Sequence, residues 1–374
     1  MEKASILGNI KWIFFDVGST LVDESLAYEH RIRTAIEGTD ITYEAFLETM
    51  LPYYYRGEKG DFETMKQFGL MKPRWYHEDE RLYPDAKECL EKLSAKYHIG
   101  VIANQSLGTA KRLEDFGIGQ YIELVIASAE EGVAKPDPEI FRRALQRAGC
   151  QAEEAVMIGD RLDNDVLPAK QLGMKTIWCR QGFGGLLKEW GEDAQPDLIV
   201  QNLQEVCELL MNGYTIKTLQ PNELPILTEL CDYNDVADMI EENTRNIETG
   251  LIDIFVLFHE SKLIGELHVK YESEDEREAV RGRRAYLFAF RVREEMQGRG
   301  IGAYLLQSVL DTLEKQGYTE FTIGVEDDNE RAIHMYQSAG FDKVIARKAE
   351  SYQGDSYEYN LYLKSINIEN DRRS

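Results

Sequence analysis

Three groups of residues in the first half of this 374-residue chain carry chemistry on their side chains. Asp16 ends the apolar run Trp12-Ile13-Phe14-Phe15 and opens the small, hydroxyl-rich turn Val17-Gly18-Ser19-Thr20. Lys135 stands in Ala134-Lys135-Pro136-Asp137-Pro138, a loop stiffened by two prolines, and Asp160 lies in Gly159-Asp160-Arg161-Leu162-Asp163-Asn164-Asp165. A carboxylate is a weak nucleophile, and it attacks an anionic substrate only if their repulsion is cancelled. A hard divalent cation and a lysine can do that. Asp16 is therefore a candidate nucleophile and metal ligand, Asp160 a second carboxylate ligand and the carbonyl of Gly18 a third. Lys135 would neutralise both the nucleophile and the transferred group. The chemistry implied is phosphoryl or related transfer through an aspartyl intermediate.

A second constellation lies in the other half. Glu294-Glu295-Met296-Gln297-Gly298-Arg299-Gly300-Ile301-Gly302 is a glycine-rich turn that opens a helix, with apolar residues at Ile301, Leu305, Leu306, Val309, Leu310 and Leu313. Such a turn exposes backbone N–H groups at the positive end of a helix dipole, where a phosphate or pyrophosphate is the natural guest. The G-x-G-x-G spacing does not fit the dinucleotide fingerprint.

Elements must hold these groups together. The pattern predicts strands at Ile99–Ala103, Leu124–Ala127, Ala155–Ile158, Lys175–Cys179 and Asp197–Val200, separated by helices at Asp85–Lys96, Thr109–Phe116 and Pro138–Ala148 and closed by Leu203–Met211. That alternation means a mostly parallel sheet with helices on both faces. Asp16, Asn104, Lys135 and the 159–165 run all fall just past strand ends, which in a parallel sheet meet in one crevice. Residues 23–81 interrupt the alternation with helical, aromatic-rich sequence that reads as an inserted lid. Tyr53-Tyr54-Tyr55 and Trp75-Tyr76-His77 within it read first as core. From Tyr214 the order is strand, helices Glu223–Tyr233 and Asp235–Asn246, strands Ile254–His259 and Leu263–Tyr271, a charged stretch Glu272–Arg284 read as a solvated hairpin tip, and strands Tyr286–Val292 and Thr319–Val325.

The chain is long enough for two domains with full cores. A net charge of −24, spread about evenly over the two halves, argues against a nucleic-acid or membrane partner, since either would repel the protein at long range. Five scattered cysteines without a C-x-x-C pair read as reduced thiols. With no leader-like run and no stretch of eighteen apolar residues, the expectation is a cytoplasmic protein.

The motifs at Asp16, at Ala103-Asn104-Gln105-Ser106, at Lys135 and at Asp160 to Asp165 stand in an order and spacing that resembles the haloacid dehalogenase-like (HAD) hydrolases over about residues 10–210. The resemblance implies a Rossmann-like parallel sheet with a helical cap over about 23–81, Asp16 as nucleophile, magnesium at Asp160 and support of the metal or the lysine by Asp165. Two positions depart from it. Phosphatases of that superfamily carry a second Asp two residues after the nucleophile as general acid and base, and here it is Gly18. Loss of such a group costs about 10²–10⁴ in rate. The second motif ends its strand in Ser or Thr, and here it is Ala103, so Asn104 or Ser106 would have to hold the anion.

Gln297-x-x-Gly300-x-Gly302, with Asn329, Tyr336 and Gly340-Phe341 downstream, resembles the GNAT acetyltransferases over about residues 214–364. An α+β acetyltransferase fold in a domain spanning 213–374, after a first domain spanning 1–212, is what this implies. It also implies acetyl-coenzyme A, with its pyrophosphate on the amides of Gln297, Gly298, Arg299, Gly300 and Gly302, its pantetheine arm along the strand ending at Val292, and Asn329 in contact with the coenzyme. Tyr336 suits a general acid, because a phenol of pKa about 10 can protonate a departing thiolate whose conjugate acid lies near 8.5. An amine acceptor, either a small molecule or a peptide amine, must first lose a proton. Glu266 and His268, on one face of their strand, are the candidate bases.

Three readings follow. The leading one is an N-acetyltransferase of an unidentified amine fused to a HAD-like domain of reduced or altered activity. The second is a bifunctional enzyme with magnesium-dependent hydrolysis at Asp16, and the third is a ligand-responsive scaffold without turnover.

Overall fold

The computed structural model describes residues 7, 9–188, 195–231, 233, 235–259, 261–352 and 355–366. The chain divides into two compact units, Met1–Gly213 and Tyr214–Ser374. The expected reach of the second domain to 374 runs past the described residues.

The first unit is built on strands β1 (Trp12–Phe15), β4 (His98–Ala103), β5 (Leu124–Ala127), β6 (Ala155–Gly159), β7 (Lys175–Cys179) and β8 (Leu198–Val200), with a short pair β2 (Val22–Asp23) and β3 (Arg81–Leu82). The six-stranded sheet has the order β5-β4-β1-β6-β7-β8 and is parallel throughout. A strand covered on both faces must be apolar on both. Ile13, Phe14 and Phe15 are accordingly fully buried. The order places β1 between β4 and β6, so the chain ends its first strand at the point where the connections diverge to either side, the usual place for a ligand crevice. Helix Pro138–Ala148 starts where Lys135's loop ends. Pro138 sits at its first turn, Asp137 caps it by accepting from the Glu139 N–H at 2.9 Å, and Gly149 at φ 64° ends it.

Between β2 and β3, which pair antiparallel as a short two-stranded ribbon, run helices Ser25–Ile36, Tyr43–Tyr55 and Gly60–Gln67. They bury their own core of Ile32, Phe46, Met50, Tyr54 and Met65. Of the aromatic clusters read as core, Tyr54 and Tyr76 are buried, while Tyr53, Tyr55, Trp75 and His77 are only partly so.

The second unit holds β9 (Tyr214–Thr218), β10 (Ile252–His259), β11 (Lys262–Lys270), β12 (Arg284–Val292), β13 (Glu320–Val325), β14 (Lys343–Tyr352) and β15 (Asp355–Ser365) in the order β14-β15-β13-β12-β11-β10-β9. All neighbours are antiparallel except β12 and β13. That parallel pair is joined by the crossover helix Ile301–Lys315, which buries the six apolar residues its periodicity singled out. One expectation fails here. The helix expected at Glu223–Tyr233 is instead a 3₁₀ stretch over Pro221–Glu229, because Pro225 lies inside it and supplies no N–H for an α-helical bond. The charged stretch 272–284 is mostly exposed, but Glu278 within it is buried, accepts from Ser273 Oγ at 2.7 Å and pairs with Lys348.

Candidate active sites

In the first unit the ends of β1, β4 and β6 converge on one charged cluster. Lys135 Nζ lies 2.7 Å from Asp16 Oδ1 and 2.5 Å from Asp165 Oδ1, with all three side chains largely withdrawn from solvent. Asp165 is turned inward by a π-helical turn over Leu162–Val166, the kind of backbone irregularity found most often at functional sites. Its second oxygen accepts from the Arg161 N–H at 3.0 Å. Asp160 is anchored from behind, where the Trp178 indole donates to its carbonyl at 2.6 Å. Gly184 lets this carboxylate in, since a Cβ there would stand 2.1 Å from Asp160 Oδ2.

The electrostatics are those of a site short of positive charge. Burial, then Asp165 and Asp16, push the Asp160 carboxyl well above its usual range. Burial also lifts Asp165 to about 6 against the pull of Lys135. Burial opposes the charge on Lys135, yet the two carboxylates raise its pKa overall. One lysine cannot balance three carboxylates.

Asp16, Asp160 and Asp165 offer oxygens all within 4.8 Å of one another. An all-oxygen, anionic donor set of this kind fits magnesium, a hard cation. Asp16 and Asp160, with the Gly18 carbonyl, would hold it, and Asp165 stands as the partner of Lys135.

Asn104 does not face the anion. Its amide donates to the Lys135 carbonyl at 2.8 Å while its Oδ1 accepts from the Lys135 N–H at 2.8 Å, so it fixes the lysine loop instead. Ser106 Oγ lies 3.1 Å from His77 Nε2, at the exit of the inserted helices. One carboxyl that the motifs do not mark also reaches the Asp16 turn. Glu24 Oε2 accepts from Ser19 Oγ at 3.1 Å, and burial together with Asp16 and Glu80 pushes its pKa up to about 8. Ser19 itself takes the left-handed conformation, φ 57°, where the chain doubles back so that its N–H reaches the Val22 carbonyl at 2.7 Å. Only that backbone path brings position 24 back to position 18, and no sequence signal announces it.

In the second unit β12 and β13 pair only through Arg284–Leu287 with Glu320–Ile323. Beyond that the strands part, next to a positive-φ residue, Ala289 at 46°, and a register shift against β11. The unpaired backbone of β12 up to Val292 faces this gap, where an extended amide-bearing arm can pair. Gln297 Nε2 donates to the Val292 carbonyl at 2.9 Å and so ties the glycine turn to the strand end. Gly298 (φ 75°) and Gly300 (φ 83°) take conformations that L side chains avoid, with Gly300 as the boundary residue of the helix. Gly302 lies under Met335, whose sulfur would be 3.3 Å from a Cβ. Arg331 lies over the same turn, its guanidinium nitrogen 2.6 Å from where a Gly298 Cβ would stand. The sequence reading missed this cation.

Asn329 uses its Oδ1 to cap helix Glu330–Ser338, accepting from the Ala332 N–H at 3.2 Å. Its amide donors are what it can offer a ligand. Tyr336 is buried beside Phe290 and Phe341, and burial raises its phenol further above the ordinary value. The proton it would donate is thus firmly held at neutral pH.

Glu266 and His268 come apart in role. Glu266 is fully buried and paired with Arg291, and although burial works against it, His268 and Arg291 hold its carboxyl below the usual range. That makes it a poor base. His268 Nε2 lies 2.9 Å from Glu266 Oε2 and lines a cavity of about 560 Å³, which Glu266 does not. Asp235, Asp238 and Glu242 line the same cavity. The arrangement is a carboxylate that orients an imidazole toward a space able to hold a substrate.

Comparison with known proteins follows the same division. Residues 10–173 match the family model for haloacid dehalogenase-like hydrolases, and residues 219–341 match that for the GNAT acetyltransferase family. The chain is 31% identical over 230 residues to the glyceraldehyde 3-phosphate phosphatase of Pyrococcus furiosus, a match covering 54% of this chain and 93% of the relative. The enzyme of the same name from Methanocaldococcus jannaschii is 30% identical over 226 residues, covering 54% and 98%. Among solved structures, a HAD phosphatase from Thermococcus onnurineus is 26% identical at a TM-score of 0.40, covering 55% of this chain and 99% of that one.

Proposed function

Because the chain belongs to the haloacid dehalogenase-like hydrolases through its first half and carries a GNAT acetyltransferase domain in its second, we propose that it is a bifunctional enzyme. Its first site would hydrolyse a small phosphate ester, and its second would move an acetyl group from acetyl-coenzyme A to an amine. The observation that carries the first activity is Lys135 held between Asp16 and Asp165 among three converging carboxylates. Such a cluster is costly to bury and gains nothing for the fold that apolar residues would not give.

Asp16 would attack phosphorus, with Lys135 offsetting the charge on the nucleophile and on the transferred group. Magnesium, held by Asp16, Asp160 and the Gly18 carbonyl, would supply charge neutralisation and orientation of the phosphoryl oxygens. The relatives are named for action on glyceraldehyde 3-phosphate, which puts small phosphorylated metabolites first in the substrate panel. Measured with magnesium, turnover that disappears in Asp16→Asn supports the hydrolase; a panel without turnover rejects it.

For the second site the carrying observation is the splayed end of β12 beside the glycine turn. The amides of Gln297 to Gly302, with Arg331, would hold the pyrophosphate. His268, oriented by Glu266, would take the proton from the ammonium, and Tyr336 would protonate the leaving thiolate. Asp235, Asp238 and Glu242 around the cavity suit a cationic acceptor. A screen of amines for release of free thiol tests this, with His268→Ala expected to raise the pH at which transfer sets in. Release that is independent of any added amine would overturn it. Among the described residues no helix is long and apolar enough to cross a membrane, and the described cysteines are free thiols, which together support a cytoplasmic setting.

A further inference from the structure

Gly18 leaves no side chain two residues after Asp16, yet the space it vacates is filled. A Cβ built on Gly18 would stand 2.5 Å from Glu24 Oε1, 2.7 Å from its Cδ and 2.8 Å from its Oε2. The three nearest heavy atoms to that point are thus one carboxyl group, brought in from six residues further along. Glu24 stands at the boundary of helix Ser25–Ile36, where an acidic side chain commonly caps the helix amides, but it makes no capping bond. Its carboxyl points instead into the Asp16 turn, held by Ser19 Oγ.

The chemistry of the site needs such a group. Splitting an alkyl phosphate leaves an alkoxide that must be protonated, and the water that clears the aspartyl intermediate must give up a proton. The other ionisable groups are engaged. Lys135 is shared by two carboxylates, Asp165 accepts from Lys135 and from the Arg161 N–H, and Asp16 and Asp160 are nucleophile and metal ligands. Of the other carboxyls near Glu24, Glu80 accepts from Trp75 Nε1 and pairs with His77, and Asp61 pairs with Arg31 and accepts from the Tyr54 hydroxyl.

We propose that Glu24 is the proton-transfer group of the hydrolase site, occupying from position 24 the place left open at Gly18. The proposal rests on the reading of the first unit as a hydrolase. In the first half-reaction the bond from an Asp16 carboxylate oxygen to phosphorus forms as the bond from phosphorus to the alcohol oxygen breaks, and the Glu24 carboxyl gives its proton to that oxygen. In the second, the Glu24 carboxylate takes a proton from the attacking water, the Asp16–phosphorus bond breaks, and inorganic phosphate leaves with Glu24 again protonated. Gly18 and Glu24 are reciprocal in this arrangement, since any side chain at 18 would displace the carboxyl from 24.

The test uses the full chain with magnesium, an alkyl phosphate (glycerol phosphate) and an aryl phosphate whose leaving group needs little protonation (p-nitrophenyl phosphate). Glu24→Gln should lower turnover of the alkyl ester by about 10²–10⁴ and that of the aryl ester by less. With the aryl ester the phosphorylated protein should accumulate in the mass spectrum. Gly18→Asp combined with Glu24→Ala should recover at least about tenfold over Glu24→Ala alone, which replacement of a packing group would not do. Gly18 is not in the left-handed region, so aspartate fits its backbone. Thermal unfolding of each variant shows that it is folded. Glu24→Gln turning over at the parent rate overturns the assignment, and so does a folded double variant no faster than Glu24→Ala. A parent chain that turns over neither ester overturns the hydrolase reading and this assignment with it.

Discussion

On the functions proposed, each site would hold an anion beside a departing group, and the two would do it with different materials. In the first unit the charge sits on side chains: three carboxylates and a lysine, withdrawn from water and dependent on one another. In the second the proposed cradle is backbone, a turn of glycines at a helix start with Arg331 above it, and a neutral phenol would supply the proton. Charge buried on side chains must be balanced to within one unit or it destabilises the fold, whereas backbone dipoles at a helix end are present whether or not a ligand is bound. Stability and activity should therefore be coupled in the first site and separable in the second.

The sharpest way to break that contrast is Lys135→Met. It leaves Asp16 and Asp165 facing each other without a cation, so hydrolysis should vanish and the first unit should lose about 3–5 kcal/mol in urea unfolding. Acetyl transfer should persist. An unchanged midpoint would mean that the carboxylates tolerate each other unaided.

Tyr336→Phe is the counterpart on the other side. Transfer to the amine should fall by about 10²–10⁴, as for loss of a general acid, with little change in stability because only a phenol oxygen is removed. Thiol release and a thermal melt read the two separately, and a large loss of stability would erase the distinction.

Acidity should separate the units as well. Glu24 has its pKa raised from an ordinary 4.5 to about 8, so the folded state holds a proton that the unfolded chain releases. In metal-free protein this costs nothing below about pH 4.5. As pH rises from there to 8 the first unit should lose stability, by up to a few kcal/mol, and Glu24→Gln should flatten the slope. Urea unfolding at pH 5 and pH 8 in chelator measures it. A slope of the opposite sign would show the carboxylate to be stabilised in the folded state.

The smallest effect is expected from Gly300→Ala. Alanine at φ 83° is strained by about 1 kcal/mol, and the amide it carries would shift. The Michaelis constant for acetyl-coenzyme A should rise several-fold with the rate at saturation held. A fall in that rate instead would place the turn in the chemistry itself.

Much of this was legible in the sequence for a physical reason. A parallel sheet requires near-continuous apolar strands, so Trp12–Phe15 and Ala155–Gly159 announce themselves, and residues that end such strands share an edge whatever else the chain does. Asp16, Lys135, Asp160 and Asp165 could therefore be assembled on paper. The six apolar positions of Ile301–Lys315 likewise follow from helical period alone. Pro225 is equally visible in the sequence, and it is what makes Pro221–Glu229 a 3₁₀ stretch where an α-helix is expected.

Other assignments depended on where a side chain turns. Asn104 stands just past a strand end, as an anion holder would, but both ends of its amide are taken by the Lys135 backbone. Glu266 and His268 share a strand face and are both buried, and only the position of the cavity and of Arg291 separates the orienting carboxylate from the cavity-lining imidazole. Glu24 and Arg331 belong here too, since each reaches its site across a glycine whose missing Cβ has meaning only in three dimensions. The sequence by itself determined the parallel sheet of the first half and the charged and glycine-rich groups, because periodicity acts locally, while the fold of the second half came from the motifs that resemble the GNAT acetyltransferases. Tertiary structure alone decided which neighbour fills an empty place such as the one beside Gly18, because that depends on backbone turns, like the one at Ser19, that bring distant positions within a few ångströms.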